Sequence, residues 1–358
     1  MSIPIEKRIE RYNTWRKREP VERPMIGLSW EPDVPPLPDM LAQVELGKEV
    51  SPDQIQPEMF LNWIEQCYRR DCELKSDIIQ SFAPAFGIPW VEAIAGCPVV
   101  AHPGSLWAEP CLDSYANRPR ICLDLDNPWL RKLIELTRVL VEFADGRFPV
   151  TLPLTRGPLD TLSAMRGPER MGLDFYDNRD EVLEILDELT DLWIGFCEAV
   201  LPWIPPFHGG YCTRMKMWAP GHAVTPQNDI SSIVSASMYE EFALPCDRRI
   251  VSRFPYHSFH LHDTEYHQID GLLKLKELTA IQLFLQPSSG GPPLETVMPV
   301  VRQALNSKPL LLGVEDIETA EWCLNELPST GFCLMLSTKA HNPISEEHKL
   351  WLKKHCSF

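Results

Sequence analysis

The most chemically loaded stretch of the chain is His260-Leu261-His262. On a strand, residues i and i+2 project to the same face. Two imidazoles would then point together, while Phe259 and Leu261 pack the other way. Nitrogen donors preplaced on one rigid strand suit a divalent metal such as Zn, Fe, Mn or Ni. A third donor could come from His341 or from Glu315. The alternative is a pair of neutral histidines in a polar pocket, or an acid histidine working without a metal. Three other ionisable residues stand out. Asp77, in Lys75-Ser76-Asp77-Ile78, could act as a base, hold a cationic group or cap a loop. Arg156, in Thr155-Arg156-Gly157-Pro158, offers a fork of donors to a carboxylate or phosphate, or an ion pair to Asp160. Asp229, in Gln227-Asn228-Asp229-Ile230, could be catalytic or cap the next turn.

These residues need a scaffold, and the C-terminal third shows it most clearly. Tyr256–Leu261, Ala280–Leu285, Leu310–Val314 and Phe332–Leu336 are apolar runs of strand length. Helical segments fall at about 267–276, 294–306, 317–326 and 344–355. Alternation of this kind implies parallel strands with helical crossovers, and unbroken apolar runs imply cover on both faces. Upstream, Pro24–Ser29, Ser76–Gln80, Phe148–Leu154 and Met215–Trp218 complete eight strand candidates. Helices are expected over 57–70, from Asn127-Pro128 to Gly146, from Asn178 to Leu201, and over 237–253 with a kink at Pro245. Eight strand–helix units predict a single-domain α/β fold, a (β/α)8 TIM barrel with inserted loops. An open doubly wound sheet would carry GxGxxG in its first turn, and no such motif occurs. In a barrel, chemistry gathers at the carboxyl ends of the strands. That places Trp30, Glu31, Trp218 and Gln286 as candidate substrate contacts. Trp90, Trp107 and Trp203 could line a pocket with Trp218 or fill a core.

The 358 residues carry 34 Lys+Arg against 50 Asp+Glu, a formal charge of −16. That argues against nucleic acid or anionic lipid as the main partner. No 18-residue apolar run exists to span a membrane. The basic start, MSIPIEKRIERYNTWRKR, has no apolar segment after it and does not read as a secretory signal. Eleven cysteines without CxxC spacing then predict reduced, mostly buried thiols in a cytoplasmic protein.

Several segments resemble uncharacterised members of the uroporphyrinogen decarboxylase-like superfamily. They are Ala83-Pro84-Ala85-Phe86-Gly87-Ile88-Pro89-Trp90 through Cys97-Pro98, Asp126-Asn127-Pro128-Trp129-Leu130, Trp218-Ala219-Pro220-Gly221 through Asp229 to Ser235, and Phe259-His260-Leu261-His262. Their order along the chain carries the resemblance from about residue 20 onward. It implies one (β/α)8 barrel with the active site in its mouth. The decarboxylases of the superfamily resemble this chain at Asp77 and around Asp229. Their arginine-rich motif is missing near Leu28-Ser29-Trp30-Glu31-Pro32, and their pocket tyrosine is missing near Leu162-Ser163-Ala164-Met165. The methyltransferase branch holds zinc with His-x-Cys on one strand and a Cys after the last strand. Here His260 matches the His, His262 replaces the first Cys, and His341 lies close to the second. The resemblance therefore implies a metal-dependent, methyltransferase-like enzyme with His260, His262 and His341 on a divalent metal such as zinc. It further implies a small-molecule substrate, a corrinoid carried by a partner protein and a homodimer. A decarboxylase on another substrate and a metal hydrolase are the alternatives.

Overall fold

Leu310-Leu311-Leu312-Gly313-Val314 has no polar side chain, and all five residues are buried. Such a strand must be covered on both faces, as in a parallel sheet. The computed structural model describes residues 3–30, 44–84, 87–287, 290–338 and 344–356, with Ser29, Trp30 and Thr338 described through their backbones only. Its strands, in chain order, are β1 (Met25–Trp30), β2 (Val99–His102), β3 (Ser105–Ala108), β4 (Tyr211–Cys212), β5 (Trp218–Ala219) and β6 (Ala223–Val224). They continue as β7 (Tyr256–His257), β8 (Phe259–His262), β9 (Ile281–Phe284), β10 (Leu310–Val314) and β11 (Phe332–Thr338). One wholly parallel sheet runs in the order β1-β11-β10-β9-β8. Its register lines up Ile26, Leu334, Leu312, Leu283 and Leu261 in a continuous apolar row. The crossovers are helices Ile269–Leu273, Leu294–Ser307 and Ile317–Glu326, and helix Glu346–His355 packs back on β1.

The ladder continues more thinly beyond both edges. Asp77 N donates to Ile26 O beside β1, and Phe82 bridges Val150 in parallel. On the other side, β6 pairs with β7 in parallel, and His260 N donates to Pro226 O. The arrangement is therefore α/β and barrel-like. Two expected strands are corrected. Ser76–Gln80 forms no ladder, and Phe148–Leu154 makes a single bridge. In the latter, Pro149 and Pro153 remove two backbone donors from seven residues. Near Met215–Trp218 the parallel element is β6. Trp218–Ala219 instead pairs antiparallel with β4.

Other elements lay below the resolution of sequence patterning. Helix Ile5–Arg16, inside the charged N-terminal stretch, lies across the N-terminal ends of the sheet strands. Its Trp15 indole donates to Leu310 O, and its Arg8 donates to Ile78 O. Asn127 caps helix Pro128–Ala144 through its side chain, as expected. Pro245 does not kink a helix. It lies in the first turn of Leu244–Arg253, directly after a π turn at Tyr239–Ala243. The wider turn takes up the backbone bond that proline cannot make.

Candidate metal centre

His260 and His262 share one face of β8, with ring centroids 4.7 Å apart and planes at 79°. Each ring is held from behind by a glutamine. His260 Nδ1 contacts Gln282 Oε1, and His262 Nδ1 lies 2.6 Å from Gln286 Oε1. An amide oxygen only accepts, so each Nδ1 must donate. Each Nε2 then presents its lone pair, and the two Nε2 atoms lie 3.2 Å apart. Two converging lone pairs repel unless something positive sits with them. Burial, ahead of the neighbouring charges, pulls His260 down to about 4, which keeps it a neutral donor at ordinary pH.

Asp229 completes the group. Its carboxylate and the two imidazoles offer donor atoms all within 4.8 Å of one another. Adjacent strands explain the meeting. His260 N is bonded to Pro226 O, so the chain beyond β6 delivers Asp229 three residues later, beside the ring. One carboxylate oxygen accepts from Gln227 Nε2 at 2.8 Å, while the buried Oδ1 has no hydrogen-bond partner. Two lone pairs and a carboxylate oxygen without a hydrogen-bond partner form a donor set that a divalent metal fits. The surrounding carboxyls are kept protonated or tied down. Glu265 accepts from His262 N and is pushed up to about 8 by burial. Asp263 accepts from Gln286 N, fixing the start of the loop after β9.

A cavity of about 660 Å³ opens beside the centre, with Asp229 in its wall. Arg156 lines it half-exposed and pairs at 3.6 Å with Glu92, which is 1% exposed. Burial raises the Glu92 carboxyl, and Arg156 opposes the rise. Asp160 sits between the two loops. It accepts from Ile230 N at 2.8 Å and from Gly157 N, and burial, reinforced by Asp229, pushes it well up. The loops approach so closely that a Cβ at Gly157 would lie 1.9 Å from Gln227 O. Glycine is required there for packing, which ties the Arg156 loop to the Asp229 segment.

The structure redistributes the expected roles. His260, His262 and Asp229 come together, so that among the described residues Asp229 stands as a further donor beside the two histidines. Arg156 lines the cavity, although its partner is Glu92 rather than Asp160. Gln286 supports a histidine from behind. Asp77 is not in the group. It is fully buried, gripped by Arg23 at 2.6 and 3.2 Å and by Arg11 at 3.0 Å, and it accepts from Ile26 N. All this ties it to the start of β1, which corrects the expectation of chemistry there. Trp218 is also corrected: it is 4% exposed in the core, its indole donates to Phe207 O, and its ring lies against Gly210. Of the tryptophans, Trp90 and Trp107 line the cavity. Trp203 instead lies under Arg138 at the surface. Glu31 and His341 lie outside the described residues, as does the Trp30 side chain. Gln282 and Glu92 were not among the residues the sequence singled out. For Gln282 a signal existed: a lone amide within the apolar run Ile281-Gln282-Leu283-Phe284 needs a buried partner.

Fold and site together define an α/β protein with a histidine–carboxylate cluster at the carboxyl ends of parallel strands. Among solved structures it shares this fold with a methyltransferase from Methanosarcina mazei, at a TM-score of 0.65 and 12% identity over 97% of either chain. At that identity the likeness is one of fold. In sequence the chain matches no protein-family profile and no curated protein. No helix among the described residues is long and apolar enough to cross a membrane.

Proposed function

We propose that the chain is a metal-dependent group-transfer enzyme of methyltransferase type, built as a single (β/α)8 barrel of the uroporphyrinogen decarboxylase-like superfamily. The thin ladder contacts beside β1 and β8 support ring closure, and the fold shared with a methyltransferase supports the reaction class. One observation carries the reading: two Nε2 lone pairs, fixed by glutamines, converge with an unpaired carboxylate oxygen at a cavity wall. A divalent cation such as zinc, held by Asp229, His260 and His262, would supply the Lewis acidity that activates a thiol or heteroatom nucleophile. Gln282 and Gln286 hold both rings in the tautomer that leaves Nε2 free. Arg156 offers its guanidinium to the polar part of a small substrate, with Glu92 holding the arginine in place. Trp90 and Leu106 present an apolar wall that keeps water from the reacting groups. The methyl donor would be a corrinoid brought by a partner protein to the cavity mouth.

Metal analysis of the purified protein tests this directly. A stoichiometric transition metal is expected, lost in His260→Ala and in His262→Ala, together with methyl transfer from methylcobalamin to a thiol. Absence of metal in the wild type, or retention in both variants, refutes the site. The donor set, with no thiolate among the described residues, also suits water activation. Ester or amide hydrolysis abolished by a chelator, without methyl transfer, would establish that second reading.

A further inference from the structure

A pair of thiols lies at the foot of the β2–β3 hairpin, well apart in chemistry from the histidines. Cys97 precedes β2 and Cys111 follows β3, and their Sγ atoms are 3.7 Å apart. The ladder sets this meeting. Val99 pairs with Ala108, and Glu109 N donates to Pro98 O, so entry and exit of the hairpin run side by side. Both cysteines are anchored through their backbones, Cys97 N to Glu92 O and Cys111 N to Met165 O. They differ in access: Cys97 is 3% exposed, whereas Cys111 reaches solvent. They differ in acidity too. The hydrogen bond between them, then burial, holds the proton on Cys97, while accepting that bond draws Cys111 down. An accessible sulfur of lowered pKa beside a buried protonated one is the layout of an attacking and a resolving thiol.

We propose that Cys97 and Cys111 form a reversible disulfide that ties together the two ends of the hairpin. The Cys111 thiolate attacks one sulfur of a low-molecular-weight disulfide, RSSR, and expels RS⁻. Cys97 then attacks Cys111 Sγ, expels the second RS⁻, and the protons of the two cysteines pass to the released thiols. Overall, RSSR is reduced to two RSH and the cysteine pair is oxidised. The sulfurs need to close from 3.7 Å to about 2.05 Å. The hairpin carries Leu106, Trp107 and Glu109 into the cavity wall, so the bond would fix that wall. The proposal does not depend on the metal reading.

The test is treatment of the full chain with oxidised glutathione, acid quench, alkylation and tryptic mass spectrometry. Trypsin releases Cys97 and Cys111 in one peptide, from Ser76 to Arg120, with no other cysteine in it. The expected product is that peptide lighter by two hydrogens, free of glutathione and unalkylated, and restored by dithiothreitol. Cys97→Ala should trap glutathione on Cys111, and Cys111→Ala should leave Cys97 unmodified. Stable glutathione on wild-type Cys111 overturns the proposal. So does alkylation of both thiols while the exposed Cys72 and Cys122 are oxidised. If Cys97→Ala fails to fold, the wild-type digest decides alone.

Discussion

Replacing Gln286 by Leu probes the tautomer argument without touching a ligand. Its Oε1 holds His262 Nδ1 at 2.6 Å, while its backbone N–H, bonded to Asp263, survives any side-chain change. Without the acceptor, His262 no longer prefers the form with Nε2 free, and its ring loses orientation. Loss of such a support behind a metal-bound histidine typically weakens affinity about 10–100-fold. That corresponds to roughly 1.4–2.7 kcal/mol. Gln286→Glu keeps an acceptor and should retain wild-type affinity or improve on it. His262→Ala removes one of three donors and should lose more than Gln286→Leu. The assay is titration of the metal-free protein with Zn²⁺ against a chromophoric chelator at fixed pH. Cobalt absorption spectra would report the coordination. Equal affinity in wild type and Gln286→Leu would show that the glutamine does not set the tautomer, and the case for converging lone pairs would fail.

Asp77→Ala should destabilise the fold by about 3–5 kcal/mol, towards the lower figure because Arg11 and Arg23 are partly exposed, since it removes the carboxylate that both guanidiniums share at the start of β1. Denaturant unfolding measures this. Metal stoichiometry should be unchanged, and its loss from a folded variant would return Asp77 to the site. Asp247 accepts from Tyr239 Oη at 2.7 Å and from Asn228 Nδ2 at 2.9 Å, yet burial outweighs both donors and raises it from 3.8 to about 7. A group raised in the folded state contributes stability fully below its unfolded pKa and loses it as pH rises through the folded one. Melting temperature should therefore fall between about pH 4 and 7 through this group, with a shallower slope in Asp247→Asn. Identical slopes would refute the assignment.

Legibility followed hydrogen bonding. The C-terminal strands could be read because each is buried on both faces and flanked by an amphipathic helix, so composition and period agree. Phe148–Leu154 looked like one more of them. Its prolines left the apolar pattern intact while removing the ladder donors, and only one bridge formed. The charged N-terminal stretch concealed a helix because Tyr12 and Trp15, its buried anchors, are too few to show a period among so many charges.

The same division runs through the site. His260-Leu261-His262 by itself determined that two imidazoles share a face, because side-chain alternation on a strand is local geometry. Residue types also sufficed to propose a divalent metal. Which third donor joins them was a tertiary matter. Asp229 lies 31 residues before His260 in the chain and reaches it only because the segment leaving β6 runs beside β8. Asp77 and Asp229 are the same residue type in comparably polar surroundings, and sequence reading treated both as candidates. Packing set one between two arginines and left the other with an oxygen unpaired beside the histidines. A carboxylate's role follows from the charge that meets it, and those neighbours are chosen by strand order rather than by position along the chain.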